Sequence, residues 1–241
     1  MTESMIRIVS IYPTLLGTYG DGGNVLALRH RAHLHGLDVE IHDVTPGESV
    51  PTNADLYVIG GGEDTAQVAA ANALRTDGGL AGAVDRGATL LAICAGYQLI
   101  GTEFPDAVGN PAPGVGIIDI RTDRLSQRAV GELVAQPARY APSGVADFLT
   151  GYENHAGATH LGADAQPFAV VESGIGNGDG TEGAVAGHVI GSYLHGPCLA
   201  RNPQIADQLL SWVTDRELTQ IVEDDVVALR AERIDYVSRN S

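Results

Sequence analysis

The first hundred residues alternate short apolar segments with segments of helical periodicity, and this pattern constrains the fold more than any other feature of the chain. Apolar strands separated by helices are typical of a parallel sheet that helices cover on both faces. The pattern predicts strands over 5–11, 38–44, 55–59 and 89–93, with helices over 24–35, 63–75 and 80–86.

The middle of the chain has a different pattern. Four predicted strands, over 115–121, 129–135, 149–153 and 168–172, follow one another without long helices between them. We expect them to form an antiparallel or mixed extension of the sheet. A last strand is predicted over 187–194, with helices over 203–215 and 219–237. The sequence therefore predicts an α/β fold with a mostly parallel central sheet. One domain would span 1–215, and 216–241 would be a helical extension of it.

Composition excludes several classes of function. The 241 residues include 14 Lys and Arg against 30 Asp and Glu, a formal charge of −16 that argues against binding to a nucleic-acid backbone. The two cysteines, Cys94 and Cys198, are too few for a disulfide framework. No segment has the pattern of a signal peptide or the roughly 18 consecutive apolar residues of a membrane span. We expect a cytoplasmic protein that binds no metal.

The segment 89–100 is the strongest candidate for chemistry. A buried strand ends at Cys94, small residues follow, and a helix begins at once. A sharp turn between a strand and a helix projects a nucleophile at the carboxyl edge of the sheet, where α/β proteins bind ligands. The following helix N-terminus favours a thiolate, and the N–H of Ala95 can face an oxyanion. The alternative is a buried, inert cysteine.

A thiolate that attacks an acyl group usually has a base beside it. Of the eight histidines, His195 is distinctive, because it follows the last predicted strand and precedes Gly196-Pro197. It therefore also lies at a strand end. Cys198, close to that turn, is interpreted as structural.

Two glycine-rich loops precede predicted helices. Gly60-Gly61-Gly62 follows a buried strand and could supply backbone N–H groups to an oxyanion, or could simply be a flexible turn. The loop over 17–24 lacks the pattern of a phosphate or dinucleotide site, so a helix entry or partner contact is favoured there.

Together the glycine loop, the cysteine turn and the late histidine resemble the class I glutamine amidotransferases. The resemblance is strongest to their cobyric-acid-synthase-like branch, and within it to glutaminase subunits of lipid II isoglutaminyl synthase. It covers about residues 6–215, in segments that include Tyr19-Gly20-Asp21, Ile93-Cys94-Ala95-Gly96, Tyr152-Glu153-Asn154-His155 and Tyr193-Leu194-His195-Gly196-Pro197.

The resemblance implies a flavodoxin-like fold and hydrolysis of glutamine to glutamate and ammonia. Cys94 would be the nucleophile and His195 the base and acid, with Arg128 binding the substrate. Backbone N–H groups of Ala95 and of the Gly61–Gly62 region would hold the oxyanion. Many relatives carry a His-x-Glu acid that orients the imidazole, but here Pro197 takes that position. Either a dyad works alone or another acid substitutes, and Glu153 is the first candidate.

The resemblance also implies a partner. The chain has no ATP-binding motif, yet forming an amide from a carboxylate requires activation. In the resembling group a Mur-ligase-like synthetase subunit, MurT, would bind ATP and Mg²⁺, form a heterodimer with the glutaminase, and amidate the D-glutamate of lipid II. Three alternatives stay open: a DJ-1/PfpI-like cysteine hydrolase, an amidotransferase for another carboxylate such as a cobyrinic acid, and a binding module with a degenerate site.

Overall fold

The computed structural model describes residues 5–240, and these contain an 11-stranded sheet. Its first part consists of five parallel strands in the order β2-β1-β3-β4-β11. Their bounds are β1 Ile6–Ile11, β2 Val39–Val44, β3 Leu56–Ile59, β4 Thr89–Ile93 and β11 Val189–Ser192. Strands β3, β4 and β11 are buried along their whole length, as expected for parallel strands covered on both faces.

The second part of the sheet is mainly antiparallel and continues from β11. Its strands are β5 Glu103–Pro105, β6 Pro111–Pro113, β7 Ile120–Pro137, β8 Leu149–Leu161, β9 Gln166–Ser173 and β10 Thr181–Ala186. Strand β7 pairs with β8 on one side and with β9 on the other. The predicted α/β class, with its parallel centre and antiparallel extension, is confirmed.

The strands of this extension differ from the prediction in length. Of the strand predicted over 115–121, only Ile120 and Arg121 are extended, and they begin the long strand β7, while 115–119 form no strand. Strand β7 also contains the whole strand predicted over 129–135, and an irregularity between Arg124 and Ala129 shifts its register. Residues 125–128, at this irregularity, are mostly polar and exposed, which is typical of a loop, although their backbone is extended. The predicted turn over 175–183 contains the start of β10, because Thr181 and Glu182 already pair with β9.

Helices pack in two groups. Helix α1 (Gly23–Leu34) packs against α5 (Cys198–Arg201) and α6 (Pro203–Thr214), and α2 (Asp64–Asp77) packs against α3 (Gly79–Asp85) and α4 (Ala95–Leu99). Helix α1 connects β1 to β2, and α2 and α3 connect β3 to β4, whereas α4 follows β4 and α5 and α6 follow β11. Because β1, β3, β4 and β11 are parallel, the loops that follow them lie at one edge of the sheet.

The C-terminal segment is fastened to this body by charged contacts. The last helix, α7, spans Asp224–Asn240. Buried Arg31 of α1 donates two hydrogen bonds to Asp207 of α6, at 2.8 and 2.6 Å, and one to Glu223, just before α7, at 2.7 Å. Removing one member of such a buried cluster leaves an unpaired charge, which typically costs about 3–5 kcal/mol. No helix within residues 5–240 is long and apolar enough to cross a membrane.

Candidate active site

Cys94 lies between β4 and α4 in a strained conformation. Its φ of 52° and ψ of −108° are rarely adopted by a residue with a side chain, and such strain concentrates at functional sites. The turn is possible because Gly96 has no side chain. A Cβ on Gly96 would lie 2.7 Å from Ile59 Cγ2 and 2.8 Å from the Ile59 carbonyl oxygen. The Cys94 N–H donates to the Ser192 carbonyl at 2.8 Å, which fixes the turn against β11.

His195 lies just beyond β11, on the same edge of the sheet as Cys94. Its backbone exchanges two hydrogen bonds with Tyr152 of β8, at 2.9 and 3.1 Å. Its side chain is 2% exposed, and its Nδ1 lies 3.0 Å from each carboxylate oxygen of Asp21. Asp21, in the loop between β1 and α1, is itself fully buried. The structure therefore supplies the imidazole with an orienting acid.

Gly61 lies between these three side chains. A Cβ added to Gly61 would lie 2.9 Å from His195 Cε1, 3.0 Å from Asp21 Oδ2 and 3.2 Å from Cys94 Cβ. The Gly61 N–H also donates to Asp21 Oδ2 at 2.8 Å. The second residue of the glycine loop thus allows Cys94, His195 and Asp21 to approach one another and holds the acid in place.

The electrostatics favour a protonated imidazole. Burial alone would lower the pKa of His195, but the hydrogen bond with Asp21 and the neighbouring Cys94 thiolate together raise that pKa from 6.5 to about 10. Nε2 of His195 is buried, and no oxygen or nitrogen atom of the described residues accepts its hydrogen bond. An imidazolium held by Asp21 beside a cysteine is an arrangement suited to a nucleophile paired with a general acid.

Arg128 and Cys94 both contact the same residue, Asn154. Its Nε donates to Asn154 Oδ1 at 2.7 Å, and its Nη2 donates to the Asn154 carbonyl at 3.2 Å. The Cys94 Sγ lies 4.0 Å from that same carbonyl oxygen. Arg128 is exposed. An exposed guanidinium beside a buried thiol can bind the carboxylate of a small substrate that reaches into the site.

The expectation that Glu153 orients His195 is corrected by the structure. Glu153 is 2% exposed, and its carboxylate accepts hydrogen bonds from the N–H groups of Ile175 and Gly176 at 2.8 and 2.9 Å. It also lies 3.3 Å from Nε2 of His155. Glu153 follows Tyr152 on β8, and its side chain faces the turn over 175–176. Its donors are therefore groups of that turn and His155.

The glycine loop also differs in part from the expectation. The N–H of Gly61 is already bonded to Asp21, so it is committed to the acid and not to an oxyanion. Gly62 follows it, and Ala95 begins α4 directly after the cysteine. The N–H groups of Gly62 and Ala95 are the positions that stay candidates for an oxyanion site.

Asp21 was missed as a site residue in the sequence, although the segment Tyr19-Gly20-Asp21 carried part of the family resemblance. Its position in the loop that follows β1 was a usable signal, since β1 lies beside β3 in a parallel sheet. Tyr19, in the same loop, has a positive φ of 65°, and its ring lies 5.2 Å from that of His195. Cys198, by contrast, is fully buried at the start of α5, and burial raises the pKa of its thiol well above the ordinary value.

The chain is similar in sequence to several known proteins. It is 32% identical over 206 residues to the GatD subunit of the glutamine-hydrolysing lipid II isoglutaminyl synthase of Staphylococcus aureus, covering 84% of this chain and 82% of that protein. The Streptococcus pneumoniae GatD subunit is 30% identical over 223 residues, covering 90% of this chain and 84% of its own. Cobyric acid synthase of Rhodobacter capsulatus is 38% identical over 193 residues, which are 73% of this chain but 38% of that enzyme.

Solved structures share the fold. A crystal structure of a glutamine amidotransferase superposes with a TM-score of 0.59 at 18% identity, covering 85% of this chain and 98% of that one. The glutaminase domain of Trypanosoma brucei CTPS, solved with bound acivicin, gives a TM-score of 0.56 at 10% identity, covering 89% and 96%. At such identities the likeness concerns the fold alone.

The family itself is shown by the sequence. The pattern of CobB/CobQ-like glutamine amidotransferase domains matches residues 7–203, which include every residue of the site described above. This match favours the amidotransferase interpretation over a DJ-1/PfpI-like cysteine hydrolase. The chain belongs to the family of CobB/CobQ-like glutamine amidotransferase domains.

Proposed function

We propose that this chain is the glutaminase subunit of a lipid II isoglutaminyl synthase. The observation that carries the glutaminase chemistry is the convergence of Cys94, His195 and Asp21 around Gly61. The choice of acceptor is supported by the two GatD relatives, which match this chain over most of both lengths.

In the proposed mechanism the Cys94 thiolate attacks the side-chain amide carbon of glutamine. The N–H groups of Ala95 and Gly62 stabilise the oxyanion, and the His195 imidazolium donates its proton to the departing ammonia. Water then attacks the γ-glutamyl thioester, with neutral His195 as the base. Glutamate leaves and the Cys94 thiolate is restored. Asp21 stabilises the imidazolium in both steps.

Substrate selection is assigned to Arg128. Free glutamine differs from a peptide-bound glutamine by its α-carboxylate, and a guanidinium pairs with a carboxylate in a bidentate geometry. Arg128 would exchange part of its bonding with Asn154 for that carboxylate. Because Asn154 also contacts the cysteine through its carbonyl, substrate binding and nucleophile placement would be linked through one residue.

The ammonia would be used by a second subunit. We propose a Mur-ligase-like synthetase, MurT, that binds ATP and Mg²⁺, pairs with this chain as a heterodimer at the cytoplasmic face of the membrane, and amidates the D-glutamate α-carboxylate of lipid II to D-isoglutamine. The GatD relatives are named as subunits, which supports the need for a partner.

The test is transfer of labelled nitrogen. The chain, co-expressed with a Mur-ligase-like subunit, receives glutamine whose amide carries heavy nitrogen, together with lipid II, ATP and Mg²⁺. The proposal predicts heavy nitrogen in lipid II and none when Cys94→Ala replaces the wild type. Free ammonia should rescue the Cys94→Ala complex, because the synthetase is intact.

A cobyrinic acid as acceptor is the second candidate, favoured by the identity to the cobyric acid synthases. The same assay with a cobyrinic acid and its synthetase separates the two. Labelling of the cobyrinic acid in place of lipid II would overturn the proposed acceptor and leave the glutaminase assignment standing.

A further inference from the structure

A buried carboxylate that takes no part in the proposed chemistry lies directly behind the catalytic pair. Glu182 of β10 is fully buried. Its Oε1 accepts the Ser192 hydroxyl at 2.6 Å and the Tyr193 N–H at 2.9 Å. Its Oε2 is buried with no hydrogen-bond partner in the described part of the chain. Burying a carboxylate is costly, so its retention calls for a role.

The segment that Glu182 holds connects the two catalytic side chains. The Ser192 carbonyl accepts the Cys94 N–H at 2.8 Å, and the Ser192 hydroxyl, oriented by Glu182, accepts the Leu194 N–H at 3.1 Å. His195 is the next residue. Residues 192–194 therefore contact the backbone of the cysteine turn on one side and continue into His195 on the other. The Glu182 carboxylate holds these three residues in place through its bonds with Ser192 and Tyr193.

We propose that Glu182 is a positioning residue for glutamine hydrolysis, and that it sets the spacing between Cys94 and His195 by holding the segment 192–194. The inference rests on the proposed roles of Cys94 and His195. A displacement of about 1 Å in such a pair is enough to slow a reaction by about 100-fold.

The local backbone is arranged to bring Glu182 to this position. Gly183 has a φ of +61°, and a Cβ there would lie 2.3 Å from the Gly191 carbonyl oxygen, so only glycine permits β10 to lie this close to β11. Asn177 donates from Nδ2 to the Gly183 carbonyl at 2.9 Å and accepts the Tyr97 hydroxyl at 3.2 Å. Helix α4, which follows the nucleophile, is thereby joined to the same point.

The charge state of Glu182 is consistent with a structural hydrogen-bond acceptor. Burial raises its pKa from 4.5 to about 7, although the bonds from Ser192 and Tyr193 act in the opposite direction. A neutral glutamine side chain has nearly the same shape and one carbonyl oxygen. It can accept both bonds, so it should replace the carboxyl at this position.

The test compares Glu182→Ala, Glu182→Gln and Ser192→Ala with Val185→Ala, a buried substitution on the same strand whose partner on β11 is Ile190. We expect Glu182→Ala to lower kcat for glutamine by about 10- to 100-fold while KM changes less than about threefold, since Arg128 is unaffected. Ser192→Ala should lower kcat less. Glu182→Gln should restore kcat to within about threefold of wild type.

A second readout does not require glutamine hydrolysis. The rate at which iodoacetamide alkylates Cys94 is followed against pH by mass spectrometry, with Cys94→Ala as the baseline for Cys198. A wider spacing would place the imidazolium of His195 farther from the Cys94 sulfur, so Glu182→Ala should change the alkylation profile. Glu182→Gln should not shift it. If wild type releases no glutamate but Glu182→Ala still changes the alkylation of Cys94 and Glu182→Gln does not, the proposed function is refuted while the positioning of Cys94 and His195 by Glu182 is supported.

Three results would overturn the inference. One is an unchanged kcat and alkylation profile in Glu182→Ala. Another is a fall in activity of Glu182→Ala that is fully explained by a smaller fraction of folded protein, which is the behaviour expected of the control Val185→Ala. The third is a failure of Glu182→Gln to restore kcat in folded protein. If Glu182→Ala does not fold, Ser192→Ala decides, and its unchanged kcat and profile would refute the inference.

Discussion

Asp21 faces the imidazole of His195 with both carboxylate oxygens, each 3.0 Å from Nδ1, across 174 residues of sequence. The same carboxylate accepts the Gly61 N–H, so the acid is fixed between the glycine loop and the histidine. Cys94, His195 and Asp21 therefore have the arrangement of a triad, and its third member comes from the loop after the first strand.

Replacing the acid tests this relationship. In Asp21→Asn the amide cannot stabilise the imidazolium and can present a donor to Nδ1, so we expect kcat to fall by about 100-fold or more. Steady-state release of glutamate measures it. The matched control is Glu153→Gln, a buried acid nearby whose donors are His155 and the turn over 175–176. A larger loss of kcat in Glu153→Gln than in Asp21→Asn would reverse the assignment.

Arg128 should govern binding of glutamine more than the chemical step. Loss of one charged, bidentate contact to the substrate carboxylate should raise KM for glutamine in Arg128→Ala by about tenfold or more. Arg121→Ala, which removes an exposed arginine of the same strand that pairs with Asp123, serves as the control and should leave KM unchanged. An unaltered KM in Arg128→Ala would remove Arg128 from the binding site.

The space beside Gly61 can be tested with a single methyl group. In Gly61→Ala the new Cβ would meet His195, Asp21 and Cys94 at 2.9–3.2 Å, so the side chains must move apart. We expect kcat to fall by about tenfold or more. Gly22→Ala is the matched control, since a Cβ at Gly22 meets nothing within 4 Å and its φ is −56°. Equal activity of the two variants would contradict the packing of the site.

Stability should depend on pH through His195. Its pKa is about 10 in the folded chain against an ordinary 6.5, so the protonated ring stabilises the fold fully below pH 6.5. That contribution is lost as the pH rises through about 10. Denaturant unfolding of wild type and His195→Gln at several pH values should give a difference in unfolding free energy that shrinks between these limits.

The control for this prediction removes the thiolate. In a Cys94→Ala background the pKa of His195 loses one of the influences that raise it, so the same difference should disappear at a lower pH. A difference in unfolding free energy that grows with pH, or one that has the same pH dependence with and without Cys94→Ala, would contradict the proposed ion pair.

The sequence predicted those parts of the molecule whose cause is local. The turn at Cys94 was predicted from contiguous residues, because an apolar strand is followed directly by the small residues Ala95 and Gly96. His195 was predicted from its position after the last strand. The strands β1, β3 and β4 are apolar along most or all of their length and were located to within one residue.

The rest depended on which strands become neighbours. Asp21 meets His195 only because β1, β3, β4 and β11 assemble with their carboxyl ends together, an order that no local pattern contains. Glu153 stood in a segment of family resemblance close to the site, but its side chain faces the turn over 175–176. Strands β7 and β8 were predicted too short, because residues that do not continue an apolar pattern extend them: mostly exposed polar residues in β7, and small or polar residues that alternate between buried and half-buried in β8.

The most direct test of the central claim is the rate of glutamate release from glutamine by wild type, Cys94→Ala and Cys198→Ala, each in complex with the proposed synthetase subunit. Cys94 is the strained residue beside His195, and Cys198 is fully buried at the start of α5. We predict that Cys94→Ala releases glutamate only at the background rate, while folded Cys198→Ala retains the wild-type rate. Glutamate release that survives in Cys94→Ala, or that is lost in folded Cys198→Ala, would contradict the account.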